Sequence, residues 1–62
     1  MKEYEISVVC GYDIYDVVNK LVYAGYKLNG FSGRTIRVFG TKPLEERFNV
    51  TYVSDGDYYI WN

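Results

Sequence analysis

The sequence predicts an α+β fold: a small β-α-β-β-β domain, with one helix packed on one face of an antiparallel or mixed sheet of three or four strands. Three observations carry that expectation. Residues 3–10 alternate between apolar and polar. Residues 13–24 repeat with the helical period between two end signals. An Asp-Gly pair at 55–56 separates two further alternating runs. A period of two sends successive side chains to opposite faces of a strand, and a period near 3.6 gathers them on one face of a helix. A chain of 62 residues makes one domain, residues 1–62, and a domain of that size buries only about 60% of its unfolded surface.

The elements follow in order. In residues 3–10, Tyr4, Ile6, Val8 and Cys10 share one face and Glu5, Ser7 and Val9 the other, so a half-buried strand is expected, ended by Gly11. Asp13 fits the N-cap of a helix over 13–24, with Asp16 in its first turn. Ile14, Val17, Val18, Leu21 and Val22 make its apolar stripe, while Tyr15 flanks that stripe and Tyr23 points away from it. Gly25 fits the left-handed stop position, with Tyr26 able to pack back on Leu21. A turn is expected near Asn29-Gly30, then a strand at about 34–39 with Ile36 and Val38 on one face and Thr35, Arg37 and Phe39 on the other. Pro43 suits the first turn of a short helix or a loop, and cannot stand inside a central strand. The runs 48–53 and 57–61 then form a hairpin around Asp55-Gly56, a pair favoured in tight primed turns with positive φ at both central residues. That turn sets Val53 opposite Tyr58, Tyr52 opposite Tyr59 and Val50 opposite Trp61. Phe48, Val50, Tyr52, Tyr59 and Trp61 then fall on the core face, and Asn49, Thr51, Val53, Tyr58 and Ile60 on the other.

Composition narrows the function classes. With one cysteine there is no internal disulfide, and with no histidine there is no imidazole for zinc or for acid–base work. The formal net charge of −1 argues against strong nonspecific nucleic-acid binding, which scales with the number of phosphates neutralised. The first residues, MKEYEISVV, read as neither a signal peptide nor a membrane span, so a cytoplasmic location is expected, without membrane contact. Cys10 alternates with core residues and lacks a base to make a thiolate, which points to a buried structural thiol. The acid pairs Glu3/Glu5, Asp13/Asp16, Glu45/Glu46 and Asp55/Asp57 each have a structural role to hand, on a strand, a helix cap, a surface connection and a turn. The 55–57 loop is too short for the six to eight oxygens of a calcium site. The glycines of residues 30–34 lead into a strand, whereas phosphate loops lead into a helix N-terminus. No catalytic residue, cofactor or metal site is expected, and the chain reads as a non-enzyme.

What remains is surface. One helix covers one face of the sheet, so the open face should present Val9, Thr35, Arg37, Phe39, Thr51, Val53, Tyr58 and Ile60. Such half-apolar surface marks contact sites, and Tyr and Arg are favoured at them. Arg37, Phe39, Val53, Tyr58 and Ile60 are therefore the first candidate partner-binding set. The outer helix strip Tyr15, Asn19 and Tyr23 is the second. The function expected is that of a protein-binding module acting by steric masking. Short, Tyr-rich, cofactor-free chains of this kind resemble the orphan proteins that phages encode to block host enzymes or defence systems, in the manner of anti-CRISPR proteins. That resemblance implies a host protein or complex as partner, and a location in the host cell. The alternatives are a nucleic-acid or regulatory module using Arg34, Arg37 and Phe39 beside Tyr58, and an obligate homodimer whose open faces pack together.

Overall fold

Alternation in the first residues sets the centre of the sheet. In the computed structural model, which describes residues 1–62, β1 (Lys2–Val8) buries Tyr4, Ile6 and Val8 and leaves Glu3, Glu5 and Ser7 on the opposite face. Two strands flank it: β3 (Thr35–Gly40), antiparallel, and β5 (Tyr58–Trp61), parallel. With β2 (Lys27–Ser32) and β4 (Val50–Val53) at the edges, the order is β2-β3-β1-β5-β4, a five-stranded mixed sheet. The helix α1 (Ile14–Tyr23) lies on one face, so the α+β class holds with one strand more than expected.

Both ends of α1 are built from the residues that signal them. The Asp13 carboxylate accepts the Tyr15 N–H at 2.9 Å, satisfying one of the free donors of the first turn. At the other end Gly25 takes φ 99°, the Gly25 N–H donates to the Val22 carbonyl at 3.0 Å, and the Tyr26 N–H donates to the Leu21 carbonyl at 3.1 Å. This pair of bonds is the Schellman stop. Of the expected stripe, Val17 and Leu21 are buried and Ile14 and Val18 half-buried. Val22 departs from it and is 50% exposed. Among the strands α1 runs nearest the edge strand β2, while its buried Val17 and Leu21 share one core with Ile6, Ile36 and Val38.

Three local expectations are corrected. Asn29-Gly30 is no turn: β2 runs through it with a bulge between Leu28 and Gly30, and the chain reverses at Gly33, φ 60°. Leu28 and Phe31 pair with Val38 and Ile36, and that apolar pairing outweighs the local turn preference of Asn-Gly. Cys10 is not buried; it is exposed, because β1 ends at Val8. Arg34 pulls the chain aside there: its Nε donates to the Val8 carbonyl at 2.9 Å, and its Nη2 to the carbonyls of Val9, at 2.7 Å, and Tyr12. The hairpin loop is not a primed two-residue turn either. Neither Asp55 nor Gly56 has positive φ, whereas Asp57 sits at φ 52°, a position Asp tolerates better than most residues. Gly56 is required for another reason: a Cβ there would lie 2.8 Å from the Tyr58 ring.

The register of that hairpin is as expected, with Val50, Tyr52 and Val53 opposite Trp61, Tyr59 and Tyr58. Tyr59 and Trp61 join the core, Val50 and Phe48 pack against it, and Tyr52 stays 45% exposed at the edge. Residues 41–49 connect β3 to β4 on the helix side of the sheet. Pro43 caps a single 3-10 turn, Leu44–Glu46, and Leu44 is fully buried.

Candidate functional site

The sheet face away from α1 carries the first candidate set, but the register divides it. Phe39 stands opposite Glu3 and Arg37 opposite Glu5, while Val53, Tyr58 and Ile60 lie on β4 and β5, across β1. A polar strip from β1 therefore runs through the middle. Arg37 and Glu5 form an ion pair at 3.4 Å, and the Asn29 amide donates to Glu3 at 2.7 Å across β3. Phe39, Val53, Tyr58 and Ile60 are only half-buried, and none belongs to the well-exposed large apolar side chains. Thr51, beside them, accepts a hydrogen bond from Asn62 at 2.7 Å. The face is a mosaic of small apolar areas and paired polar groups.

The second candidate strip has a different character. Tyr23 is 91% exposed and Tyr15 67%, with Asn19 exposed between them. The Tyr15 ring meets the Phe31 ring edge-on, centroids 5.9 Å apart. Val22 and Leu28 lie at the other end of the same helix–strand seam, near the Gly25 turn, and Tyr12 precedes the helix; all three are exposed. Exposed apolar side chains thus lie along both α1 and β2, with Tyr15 and Phe31 joining the two elements. Sequence reading alone misses Leu28 and Phe31, because a strand without a bulge sends residues three apart to opposite faces. The bulge adds one residue between them and returns both to the helix side.

Of the seven basic side chains, Lys20, Lys27, Lys42 and Arg47 are exposed without a side-chain partner, and they are spread along the chain. The Arg34 guanidinium is taken up by backbone carbonyls, and Arg37 faces a carboxylate. Lys2 lies 5.3 Å from the Tyr4 ring centroid. No three His, Cys, Asp or Glu side chains come together closely enough to hold a metal ion. The acid of the hairpin loop has a partner of another kind: the Tyr52 hydroxyl donates to Asp57 at 2.7 Å, which pushes the Tyr52 phenol up. Burial, with the bond from its hydroxyl to Glu45 at 3.1 Å, pushes Tyr59 up to about 12, and burial also raises Tyr26. These phenols hold protons more firmly than usual, the opposite of what a proton-transfer role at neutral pH needs.

No helix is long and apolar enough to cross a membrane. No protein-family model matches the chain, and neither do curated proteins or solved structures.

Proposed function

We propose that this chain is a non-enzymatic protein-binding module that acts by covering a working surface of another protein. The observation that carries the reading is the exposed apolar surface along α1 and β2, with Tyr15 and Tyr23 its largest free side chains. Exposed apolar surface of this kind marks contact sites, and tyrosine brings large rigid area with a polar tip. Tyr15 is held by Phe31, so part of the surface is preformed and less ordering is lost on binding. The partner class we favour is a host enzyme or defence complex, blocked in the manner of phage-encoded, anti-CRISPR-like inhibitors. Small size, eight tyrosines and the lack of histidine support it.

Capture from host lysate, followed by calorimetry on the purified partner, tests the reading. Tyr15→Ala and Tyr23→Ala should each weaken binding at least tenfold, the range of a contact hot spot. Tyr58→Ala and Ile60→Ala should bind as the unaltered chain does. The reverse pattern moves the site to the open face. Dimers at low concentration that Tyr23→Ala dissociates would mean that a second copy occupies that surface, and the reading fails.

A further inference from the structure

The opposite face of the molecule holds a second feature with other chemistry. Where β2, β3 and β1 run side by side, the sheet surface is hollowed into a groove of about 510 Å³, lined chiefly by Glu5, Asn29, Gly30, Ser32, Thr35 and Arg37. The bulge in β2 makes it. Gly30 stands opposite Arg37, and a Cβ added to Gly30 would meet nothing within 4 Å. The space that a strand side chain would fill is left empty. Asn29 reaches across β3 to Glu3 at one end, and Ser32 faces Thr35 at the other.

The two charged walls are under-used. Arg37 Nη2 and Glu5 Oε1 are 3.4 Å apart, longer than a well-formed N–H···O bond, and this is the sole side-chain hydrogen bond of either group. A guanidinium offers five donors and a carboxylate about four acceptor sites. Both side chains are substantially exposed, at 56% and 41%.

We propose that this groove binds a small zwitterion, a free α-amino acid, with its carboxylate on Arg37 and its ammonium on Glu5. Charge complementarity selects that class. A simple anion would meet Arg37 but also Glu5, with Glu3 nearby; a simple cation would meet Glu5 but also Arg37. A molecule carrying both charges on one carbon closes a ring of four alternating charges with the pair. The planar guanidinium takes a carboxylate through two parallel bonds. Ser32 and Thr35 also line the groove, and a hydroxyl can bond a remaining oxygen. The bare Gly30 floor leaves room for the ligand side chain, and the volume falls in the range of small-molecule sites. Because both walls face water, the affinity is weak, with Kd on the order of 1 mM.

Nuclear magnetic resonance on isotope-labelled protein, titrated with L-alanine, tests the site. The Arg37 Nε–H and the amides of Gly30, Ser32 and Thr35 should shift and saturate. N-acetyl-L-alanine lacks the ammonium and L-alaninamide lacks the carboxylate; each should bind at least tenfold more weakly. Gly30→Val fills the groove without backbone strain, since Gly30 has no positive φ, and should abolish the shifts while the remaining amide pattern persists. Should that variant not fold, Arg37→Gln at its exposed position carries the same arm. Three results overturn the proposal: no saturable shift at these residues up to about 10 mM, N-acetyl-L-alanine binding as well as alanine, or binding undiminished in the filled or Arg37→Gln variant.

Discussion

Over one half of the covered sheet face the covering layer is α1, whose Val17 and Leu21 share the core with Ile6, Ile36 and Val38. Over the other half of the same face it is the irregular stretch 41–49, whose Phe48 meets Tyr26 and Trp61 and whose Leu44 joins the same core. The first half is aliphatic and the second aromatic, and the reason lies in the backbone. A helix satisfies its own interior N–H and C=O groups, so plain hydrocarbon suffices beneath it. An irregular crossover does not, and needs side chains that supply bulk and a hydrogen bond together. The Tyr26 hydroxyl donates to the Lys42 carbonyl at 2.8 Å and the Tyr59 hydroxyl to the Glu45 carboxylate at 3.1 Å. Tyrosine is the residue that does both. Rings run from Tyr26 through Tyr4 to Tyr59 with centroids about 6 Å apart, in edge-on contacts.

The sharpest way to break the comparison is to empty the aromatic half. Trp61→Ala should cost about 3–5 kcal/mol by urea unfolding, a large part of the whole stability of so small a domain. An unchanged midpoint would mean that the helix half alone carries the fold. A subtler intervention tightens that half instead. A Cβ on Gly40 would overlap the Tyr26 ring, so Gly40→Ala should cost about 1–3 kcal/mol by overpacking. Combined with Tyr26→Ala the two losses should fall short of their sum, because the second change removes the clash. Full additivity would show that the ring and the glycine do not share the site.

The smallest expected effect separates packing from hydrogen bonding. Tyr59→Phe keeps the ring and loses the bond to Glu45, which should cost about 0.5–1.5 kcal/mol. It also changes the alkaline limb of stability. Tyr59 titrates near 12 in the fold, raised from about 10. The unfolded chain therefore releases its proton first as pH rises. The contribution is fully present below about pH 10 and is lost between about 10 and 12. Unfolding of Tyr59→Phe followed from pH 8 to 12 should show a shallower decline than the unaltered protein. Equal slopes would place the alkaline sensitivity on Tyr26 and Tyr52 instead.

Legibility in the sequence follows the same division. The helix was readable to its caps, because Asp13 and Gly25 act through bonds to residues next to them in the chain. The hairpin register was readable too, although the turn was not of the expected kind: a four-residue loop ending at Asp57 pairs Val53 with Tyr58 just as a turn centred on Asp55-Gly56 does. What stayed hidden depends on distant partners. β2 exists because Leu28 and Phe31 find β3, and Cys10 is exposed because Arg34, far along the chain, ends β1 early. The same limit held for the contact surfaces. The sequence placed Arg37, Phe39, Val53, Tyr58 and Ile60 on one face, but the divide between them comes from Glu3 and Glu5 of the strand that separates them. Tyr15, Asn19 and Tyr23 were readable from helical spacing alone, whereas their neighbour Phe31 needed the bulge.

The central strand also governs how the sheet closes. β1 is made first, yet one of its two neighbours, β5, is the last strand of the chain. Residues 2–40 hold β1, α1, β2 and β3, but without β5 the far edge of β1 is unpaired backbone. Only the arrival of Tyr59 and Trp61, pairing with Ile6 and Val8, seals it. Until that pairing forms, one edge of the central strand is open to other chains, and a pairing between segments this far apart in the sequence is slow to search for. Local loosening of β5 would therefore lay bare the middle of the sheet, with β1 as the new edge, although β5 stands next to the outermost strand.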